Sequence, residues 1–524
     1  MKRIALLCLV LAMLLCACNV DTPPSATQAP TQSELPTQEE TPARSGETFG
    51  MSYTPEYGFN PYTCAATTNR AMFSLLYESL FVVSNQFRAE PLLCESFTVS
   101  EDGKTYTYTL IPGVKFADGT PLTADDAAAS IRAAKQSKLY AARLAHISSI
   151  TAQSDLRLTI LLDTPYENFS LMLDVPIVKA DMVEDDMPIG TGAYALQGTL
   201  AAASLQRSKH WWQMKAPAVS LDTILLNASD TPGEIRDDFE FGTTDLVYGD
   251  PNSDAAVGYR CDYELWEAPT TVMEYIGFNL NSSIFSNIAV RRAVTRVIDR
   301  ESLVKSVYGG FALATSLPCS PDSDLYDETL AESYAPESFQ TAVRSARLSS
   351  SESSAVIFLV CADNPTRVSA AQQMAESFRA NGLPVTVRAL VREEYERALQ
   401  NGNYDLYYGQ VRLTANFDLT PFFDGTLSYG GIRSDTLLSL CTASLENSGN
   451  YYELCAKILN EAPICPVVFK SYSICVARGA VSAIVPGVDF LFRNASTART
   501  LADADKTYEN ATEPVSEPVS ETSP

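Results

Sequence analysis

Few side chains in this sequence have the types and spacing that catalysis requires. The 524 residues include only two histidines, His146 and His210, so a catalytic or metal centre that uses several histidines is disfavoured. Neither the GxSxG pattern of serine hydrolases nor the HExxH pattern of zinc peptidases occurs. We therefore expect no catalytic residue and no enzymatic activity. Each histidine is interpreted as a surface group or as a core group with its hydrogen bonds satisfied.

Cysteine is the other residue type that could bind a metal. Of the 12 cysteines, Cys8, Cys16 and Cys18 lie within or at the end of an apolar leader, and the other nine are spread from Cys64 to Cys475. None of the nine is spaced as CxxC, so a zinc ribbon is not supported, and we predict no metal and no other cofactor. Free thiols and disulfides both remain open for the nine, because pairing cannot be read from spacing.

The first 18 residues are predicted to be a secretion signal. Two positive charges, Lys2 and Arg3, precede about 12 apolar residues, a run too short to span a bilayer, which needs roughly 20. The run ends as LCAC at 15–18, which resembles a bacterial lipobox. That resemblance implies cleavage before Cys18 and a diacylglycerol on its sulfur, and two acyl chains suffice for stable anchoring. The alternative is an ordinary signal peptide with an incidental cysteine.

Charge and composition limit the partners. The formal net charge of −25 argues against nucleic acid, whose phosphates need a basic face. Residues 19–47 are rich in Thr, Pro, Gln, Ser and Glu, and 501–524 contain a repeated EPVS. Both segments are predicted to be disordered, the first as a tether and the second as an acidic tail. The remaining body, about 48–500, is too long for one core, so two or three lobes are expected.

The body contains clear local signals. Apolar alternation on both sides of Asp102-Gly103 predicts a hairpin, and Thr123 with Asp126 is typical of a capping box at a helix start. From residue 355 the pattern predicts strand, helix, strand, helix, strand, which implies a partly parallel sheet with ligands favoured at the strands' carboxyl ends. The GTG at 190–192 is interpreted as a tight turn, because no GK[ST] follows.

A helix is also predicted from the spacing of apolar residues between 290 and 298, with Asp299 able to cap a second helix. Arg291 and Arg292 lie within the first of these. We interpret both arginines as lying on a solvated helix face.

Eight short segments carry a resemblance to a known family through their order and spacing. They are AEPLLCESF at 89–97, SEDGKTY at 100–106, GVKFADGTPLTADD at 113–126, IGTGAY at 189–194, GFNL at 277–280, VRRA at 290–293, IDR at 298–300 and APICP at 462–466. Together they resemble the extracellular solute-binding proteins of ABC importers in the peptide, dipeptide and nickel group, family 5.

The resemblance implies an α/β fold that is two-lobed and periplasmic-binding-protein-like (a Venus flytrap), with an extra α/β domain in the first lobe. The main lobe would combine 48–80, 188–270 and 476–500, the extra domain would be 81–187, and the second lobe 271–475. Ligand would be enclosed in the cleft by hinge closure. The closed protein would then dock on an ABC permease driven by a cytoplasmic ATPase. We expect a lipid-anchored monomer on the outer face of the cytoplasmic membrane, at the cell surface or in the periplasm.

The resemblance also points to residues that contact ligand. In the peptide binders of this family, an aspartate in the second lobe pairs with the ligand's amino terminus. Here Asn416 falls at that position, Asp418 lies two residues on and could substitute, and Phe417 stands between them. Family members usually carry a tryptophan near Val411, and this chain lacks it. These departures leave the ligand class open.

Three of the candidate residues have a structural alternative. Arg412 could clamp a ligand carboxylate with two hydrogen bonds, or it could form a salt bridge within the second lobe. Asp418 could bind ligand or cap a helix at 419–423. Tyr62 follows Asn60-Pro61, where the first lobe of the family usually lines the cleft, or it could simply pack in the core.

The predicted function is the substrate-binding subunit of an ABC importer for a peptide or peptide-like solute. A receptor of the same fold for a sugar, a metal chelate or a signalling molecule is the alternative, because fold does not fix ligand. Free nickel is disfavoured by the scarcity of histidine. An extracellular hydrolase and a sensory or adhesive lipoprotein are the other classes considered.

Overall fold

The computed structural model of the chain describes residues 49–213, 221–253, 258–333, 355–427, 429–481, 483–492 and 498–499. The predicted leader with Cys18, the tether at 19–47 and the tail at 501–524 lie outside the described residues. Within the described ranges, no helix combines the length and the apolar composition needed to cross a bilayer.

Strands and helices alternate along most of the described chain. The strands are β1 Phe49–Tyr53, β2 Phe81–Val83, β3 Ala89–Pro91, β4 Cys94–Val99, β5 Thr105–Leu110, β6 Ile147–Ser154, β7 Arg157–Leu162, β8 Tyr194–Thr199, β9 Ala202–Arg207, β10 Thr223–Ala228, β11 Leu246–Gly249, β12 Tyr263–Phe278, β13 Ala312–Ala314, β14 Val356–Cys361, β15 Val385–Leu390, β16 Leu406–Arg412, β17 Ile464–Ala477, β18 Ala483–Ile484 and β19 Ala498–Arg499. The α-helices are α1 Thr67–Arg70, α2 Phe73–Leu76, α3 Ala124–Gln136, α4 Pro232–Phe241, α5 Ile288–Val297, α6 Arg300–Ser306, α7 Glu328–Ser333, α8 Pro365–Ala380, α9 Arg392–Gln400, α10 Thr420–Phe423, α11 Asp435–Glu446 and α12 Tyr451–Glu461.

A separate four-stranded antiparallel sheet, in the order β4-β5-β7-β6, forms one layer of the structure. The predicted hairpin is confirmed, since β4 pairs with β5 and Gly103 adopts a φ of 69° at the turn, where glycine is favoured. The predicted capping box is confirmed at the start of α3, where the side chain of each of Thr123 and Asp126 accepts a hydrogen bond from the backbone N–H of the other. The alanine-rich face of α3 is buried, which lets this helix lie close to β6 and β7.

The large sheet has 11 strands in the order β15-β14-β16-β12-β17-β11-β1-β10-β9-β8, with β13 on β17. Its two halves share β12 and β17, of 16 and 14 residues. Along β12 the first five residues are exposed or half-buried, and every residue from Thr270 onward is buried. This strand therefore leaves a half-exposed sheet and enters one covered on both faces. Its pairing with β17 shifts register between Pro269 and Met273, at the crossing.

The second half of the large sheet confirms the predicted strand-helix alternation. β14 pairs in parallel with both β15 and β16, and α8 and α9 connect them. The carboxyl ends of β14 and β16 consequently point to the same edge of the sheet. Asp299 caps α6 as expected, accepting a hydrogen bond from the Ser302 amide at 2.9 Å.

Two interpretations from the sequence need correction. The interpretation of Arg291 as a solvated residue is wrong. Arg291 is 5% exposed, and its guanidinium donates to the carbonyls of Glu461 at 2.6 Å and Ala462 at 2.9 Å. The last carbonyls of a helix lack partners within it, so this arginine satisfies the end of α12. Arg292 is half-buried.

Close packing, not turn conformation, explains the glycines of the GTG segment. Gly190 and Gly192 do not have positive φ, but a Cβ on either would lie 2.2 Å from the Leu76 carbonyl oxygen or 2.3 Å from that of Leu75. The segment thus lies directly against the end of α2, and any side chain would force it away.

The nine cysteines beyond the leader are not joined by disulfides in the structure. All except Cys261, which is half-buried, are buried. Buried thiols behave as small apolar side chains, so they contribute to the core by packing.

Candidate functional site

A cavity of about 390 Å³ lies where residues 81–171 face residues 323–451. Its walls come from both sides, and the lining residues used below are Phe87, Arg88, Tyr166, Glu167, Asp324, Asn416 and Tyr451. Ligand pockets typically have about 300–1,000 Å³, so this cavity suits a small solute.

Direct contacts join the two sides around the cavity. Arg88 donates two hydrogen bonds to Asp324, at 2.5 and 2.7 Å. The Glu167 amide donates to the Leu445 carbonyl at 2.8 Å, and its carboxylate accepts from the Ser448 amide at 2.6 Å. The structure is therefore a closed arrangement, in which the cavity is bridged by an ion pair and by backbone hydrogen bonds.

Asn416 is the one predicted ligand residue whose side chain lines this cavity. Its Nδ2 donates to the Tyr166 hydroxyl at 2.8 Å, across the cavity from the second side to the first. Its Oδ1 accepts from the Thr414 hydroxyl at 2.7 Å. Asn416 thus helps to hold the cavity closed, and most of its hydrogen-bonding capacity is used by the protein.

Asp418 and Phe417 serve the local fold. Asp418 Oδ1 accepts from the Thr420 amide at 2.9 Å and from its hydroxyl at 2.6 Å, which forms an Asx turn just before α10, whose N-cap is Leu419. Burial raises the pKa of Asp418 above its ordinary value, although the bonds from Thr420 act to lower it. Phe417 is fully buried with a φ of 56°, and its ring lies 4.8 Å from that of Phe87 and 5.4 Å from that of Phe469. The geometry gives both residues structural roles.

Arg412 has a protein partner from another segment of the chain. Its guanidinium forms an ion pair with Asp489 and donates to the Tyr472 hydroxyl at 3.2 Å. Asp489 also accepts from the Thr271 hydroxyl at 2.9 Å. The salt bridge therefore joins the end of β16 to the C-terminal segment and does not lie within the predicted second lobe.

Tyr62 packs in the core. It is 3% exposed, and its hydroxyl donates to the Pro176 carbonyl at 2.8 Å. It does not line the cavity.

Three further polar residues, Arg143, Arg70 and Tyr248, were not predicted. Arg143 forms an ion pair with Asp174, and its guanidinium lies 4.8 Å from the centre of the Tyr140 ring. Its Nε is buried and has no hydrogen-bond partner within the described ranges. Tyr166, which lines the cavity, lies close enough for the charge of Arg143 to act on its pKa.

Arg70 and Tyr248 complete this set. Arg70 ends α1, which packs against β11, the strand that carries Tyr248. For the Arg70 side chain, the described part of the chain offers no hydrogen-bond or ion-pair partner. The Tyr248 hydroxyl is buried and likewise lacks a partner there, while its ring lies 5.6 Å from that of Tyr472.

We call Arg70, Arg143, Arg412 and Tyr248 the arginine group. Burial and Asp489 raise the pKa of Tyr248, while Arg412 and Arg70 act to lower it. Two of the three arginines have a carboxylate partner, and Arg70 has none. No local pattern could have found this group, because its members come from four distant segments.

A buried charge cluster fixes the crossing of β12 and β17 nearby. Lys470 is 2% exposed, and its ammonium pairs with Asp250, with the Glu274 carboxylate 3.9 Å away. Glu274 also accepts from the Tyr308 hydroxyl at 2.5 Å. Buried charges of this kind require their partners, so the cluster holds the end of β11 against the shared strands.

A second cavity, of about 530 Å³, lies at the carboxyl ends of β1, β10 and β11. Tyr248, Asp250 and Tyr472 line it, together with Thr54 and Asp230. Tyr248 is the member of the arginine group that lines this cavity.

The chemistry available here is recognition by charge and hydrogen bonds. The described residues contain no group of three or more His, Cys, Asp or Glu placed to hold a metal ion. A cavity lined from two sides by polar and aromatic residues is the arrangement expected of a solute-binding protein.

The family assignment follows from the sequence profile. The family described as bacterial extracellular solute-binding proteins, family 5 Middle, matches residues 88–433. This is well over half of the chain, and the chain belongs to this family. The resemblance and the fold class stated from the sequence are confirmed.

Among known proteins, the glutathione-binding protein GsiB of Salmonella paratyphi A is 27% identical over 268 residues, covering 48% of this chain and 52% of GsiB. The chain thus spans about half the length of the curated relatives it matches. The fold is similar to the ABC transporter substrate-binding protein CtaP of Listeria monocytogenes, with a TM-score of 0.73, 17% identity and coverage of 87% of this chain and 100% of CtaP. A putative peptide-binding protein, AppA of Clostridium difficile, has a TM-score of 0.70, 15% identity and coverage of 86% and 100%.

Proposed function

We propose that this protein is the extracytoplasmic substrate-binding subunit of an ABC importer and captures a peptide or peptide-like small solute between two lobes. The observation that carries the proposal is the 390 Å³ cavity lined from both sides and bridged by Asn416–Tyr166 and Arg88–Asp324. A cleft that closes around a solute is the means by which two-lobed binding proteins retain ligand. Membership of family 5 supports the same function.

The proposed lobes follow the division expected from the sequence. The main lobe is 48–80, 188–270 and 476–500, the extra domain is 81–187, and the second lobe is 271–475. The register shift of β12 between Pro269 and Met273 supports a hinge at this point, because irregular pairing is where a shared strand bends most easily. The Lys470 cluster would then limit how the hinge moves.

The proposed anchor is a lipid on Cys18, which would hold a monomer at the outer face of the cytoplasmic membrane. An ABC permease and its ATPase are the proposed partners. These steps rest on the leader sequence and on the family.

A short peptide fits the cavity best among peptide ligands. Its volume is at the lower end of the usual range for ligand pockets, which suits a few residues and not a long oligopeptide. GsiB is a glutathione-binding protein, and glutathione is a ligand of this size. Asn416 is proposed to close over the ligand and hold Tyr166, with Arg412, Asp418, Phe417 and Tyr62 positioning the walls.

The test is capture of ligand by the purified full-length protein. It is incubated with a casein peptide pool supplemented with glutathione, observed by native mass spectrometry, and its bound compounds are released and identified. Retention of short peptides or glutathione is expected. A protein that retains no member of the pool, with no change in melting temperature, would show that the ligand is not peptide-like.

A further inference from the structure

We propose that Lys470 changes its carboxylate partner when the two lobes move apart, from Asp250 in the main lobe to Glu274 in the second lobe. The buried cluster at the crossing of β12 and β17 is then a device that sets the balance between closed and open protein. This inference rests on the proposed function, which supplies the two lobes and the hinge between them.

Lys470 lies at the irregular part of the crossing. On β17 it stands opposite the stretch of β12 between Pro269 and Met273, where the pairing register shifts. Its backbone carbonyl accepts from the Thr270 hydroxyl at 2.6 Å, within the same stretch. Because shared strands bend most easily where their pairing is irregular, this lysine is placed at the point of bending and not within one lobe.

The Lys470 ammonium faces two carboxylates, one from each proposed lobe. It forms an ion pair with Asp250, which follows β11, and Glu274 Oε1 on β12 lies 3.9 Å away, longer than a hydrogen bond. Lys470 is 2% exposed, and Glu274 is fully buried. A buried ammonium is costly without a partner, so Lys470 needs a carboxylate in each arrangement of the lobes.

Glu274 has one oxygen in use and one without a partner. Oε2 accepts from the Tyr308 hydroxyl at 2.5 Å, and that hydroxyl lies 2.7 Å from the hydroxyl of Tyr408. Oε1 is buried and has no hydrogen-bond partner within the described ranges. A buried acceptor in this condition needs an explanation. Lys470 can supply the missing donor by a movement of about 1 Å, which brings the 3.9 Å separation to the length of a charged hydrogen bond.

Opening of the hinge separates the two carboxylates. Asp250 follows Gly249, which pairs with β17 on the main-lobe side, so it moves with the main lobe. Glu274 is bonded to Tyr308 of the second lobe and stays with it. The closed state therefore pairs Lys470 with Asp250, and the open state pairs it with Glu274. Removal of either carboxylate should favour the state that the other one holds, because a group shifts an equilibrium only through a difference between its two states.

The test measures the distance between the lobes in the unliganded full-length protein by double electron–electron resonance. Spin-labelled non-natural residues replace Glu95 and Tyr452, which are both exposed. Glu95 lies on the strand of Phe97 and Tyr452 on the helix of Tyr451, and these two neighbours line the 390 Å³ cavity from its opposite sides. Opening therefore lengthens the measured distance.

The two carboxylate variants should shift this distance in opposite directions. Asp250→Asn should raise the ratio of long to short distances roughly ten-fold, and Glu274→Gln should lower it by a similar factor, as expected when a hydrogen bond to a charged group is lost from one state. Glu461→Gln is the matched control. It removes a carboxylate from the surface pair with Lys457 and should leave the distances unchanged.

Tyr308→Phe gives a milder variant for the case in which a charge change prevents folding, which thermal melting detects. It removes the donor to Glu274 Oε2, so Glu274 gains more from Lys470, and the long distance should become several-fold more populated.

A cluster that only stabilises the fold would lower the melting temperatures and leave the distances as they are. That result, or a shift of Asp250→Asn and Glu274→Gln in the same direction, overturns the partner exchange, and the proposed function stands if wild type retains peptides in the capture experiment. Wild type that retains no member of the peptide pool overturns the proposed function, and the distances still decide whether Lys470 changes partner.

Discussion

The two walls of the cleft contain similar polar residues but differ in how well these residues are satisfied. On the wall formed by residues 412–420, Arg412 is paired with Asp489 and Asp418 with Thr420. On the facing side, formed by residues 81–171, Arg143 Nε is buried and has no hydrogen-bond partner within the described ranges. Satisfied polar groups hold a wall in shape, whereas a buried unsatisfied group needs an explanation. The two sides therefore differ in how much hydrogen-bonding capacity they leave unused.

The largest effect is expected from breaking the ion pair that supports the unsatisfied wall. Arg143→Met leaves Asp174, whose side chain is 10% exposed, without its countercharge. Removing one partner of a buried pair destabilises a protein by about 3 kcal/mol or more, so the midpoint of urea unfolding should fall clearly. The double variant Arg143→Met/Asp174→Leu should recover most of the loss, because no buried charge is then left alone. A single variant as stable as wild type would mean that Asp174 is solvated in the unliganded protein.

The satisfied wall should respond more weakly, through the turn that precedes α10. Asp418→Ala removes the acceptor for the Thr420 amide and hydroxyl, and loss of such hydrogen bonds destabilises by about 1 kcal/mol. Asp418→Asn keeps an oxygen at the same place and serves as the control. Urea unfolding of the two variants measures the difference. Weaker peptide binding by Asp418→Asn at unchanged stability would instead show that Asp418 contacts ligand.

The same carboxyl group should make the satisfied wall sensitive to pH. Burial raises the pKa of Asp418 in the folded protein, so between its ordinary value of about 3.9 and the raised value the folded state binds more protons than the unfolded state. Stability from this group is therefore present at low pH and is lost as pH rises through that window. Arginine side chains on the other wall keep their charge throughout this pH window.

The measurement is the difference in unfolding free energy between wild type and Asp418→Asn as pH rises from about 3.5 to 7. Wild type should lose stability relative to the variant across the lower part of that range. A difference that stays constant with pH would show that the Asp418 carboxyl has its ordinary pKa.

Much of the fold was predictable because its signals are local. The turn at Gly103, the cap at Thr123 and the strand-helix alternation from β14 to β16 each depend on neighbouring residues, and all were confirmed. The sequence analysis made no prediction for the strands β8 to β11. Arg291 was misassigned because helical spacing cannot show that the end of a distant helix lies beside it.

The candidate site was much less predictable than the fold. The arginine group consists of residues 70, 143, 248 and 412, which lie too far apart in the sequence for a local pattern to relate them. The family resemblance pointed to Asn416, which lines the cavity. It could not show that the side-chain amide of Asn416 donates to the Tyr166 hydroxyl. Hydrogen-bond partners decide between a structural and a recognition role, and they are a property of the three-dimensional arrangement.

The smallest expected effect contrasts an unsatisfied hydroxyl with a satisfied one in the same second cavity, which Tyr248 and Tyr472 both line. Tyr248→Phe removes a buried hydroxyl that has no partner within the described ranges, so the unliganded protein should be equally stable or gain up to about 1 kcal/mol. Tyr472→Phe is the matched control, since its hydroxyl accepts from Arg412, and it should lose a few tenths to 1 kcal/mol. Thermal melting of both unliganded variants measures the difference. A clear loss of stability in Tyr248→Phe would mean that its hydroxyl is already bonded, for instance to water.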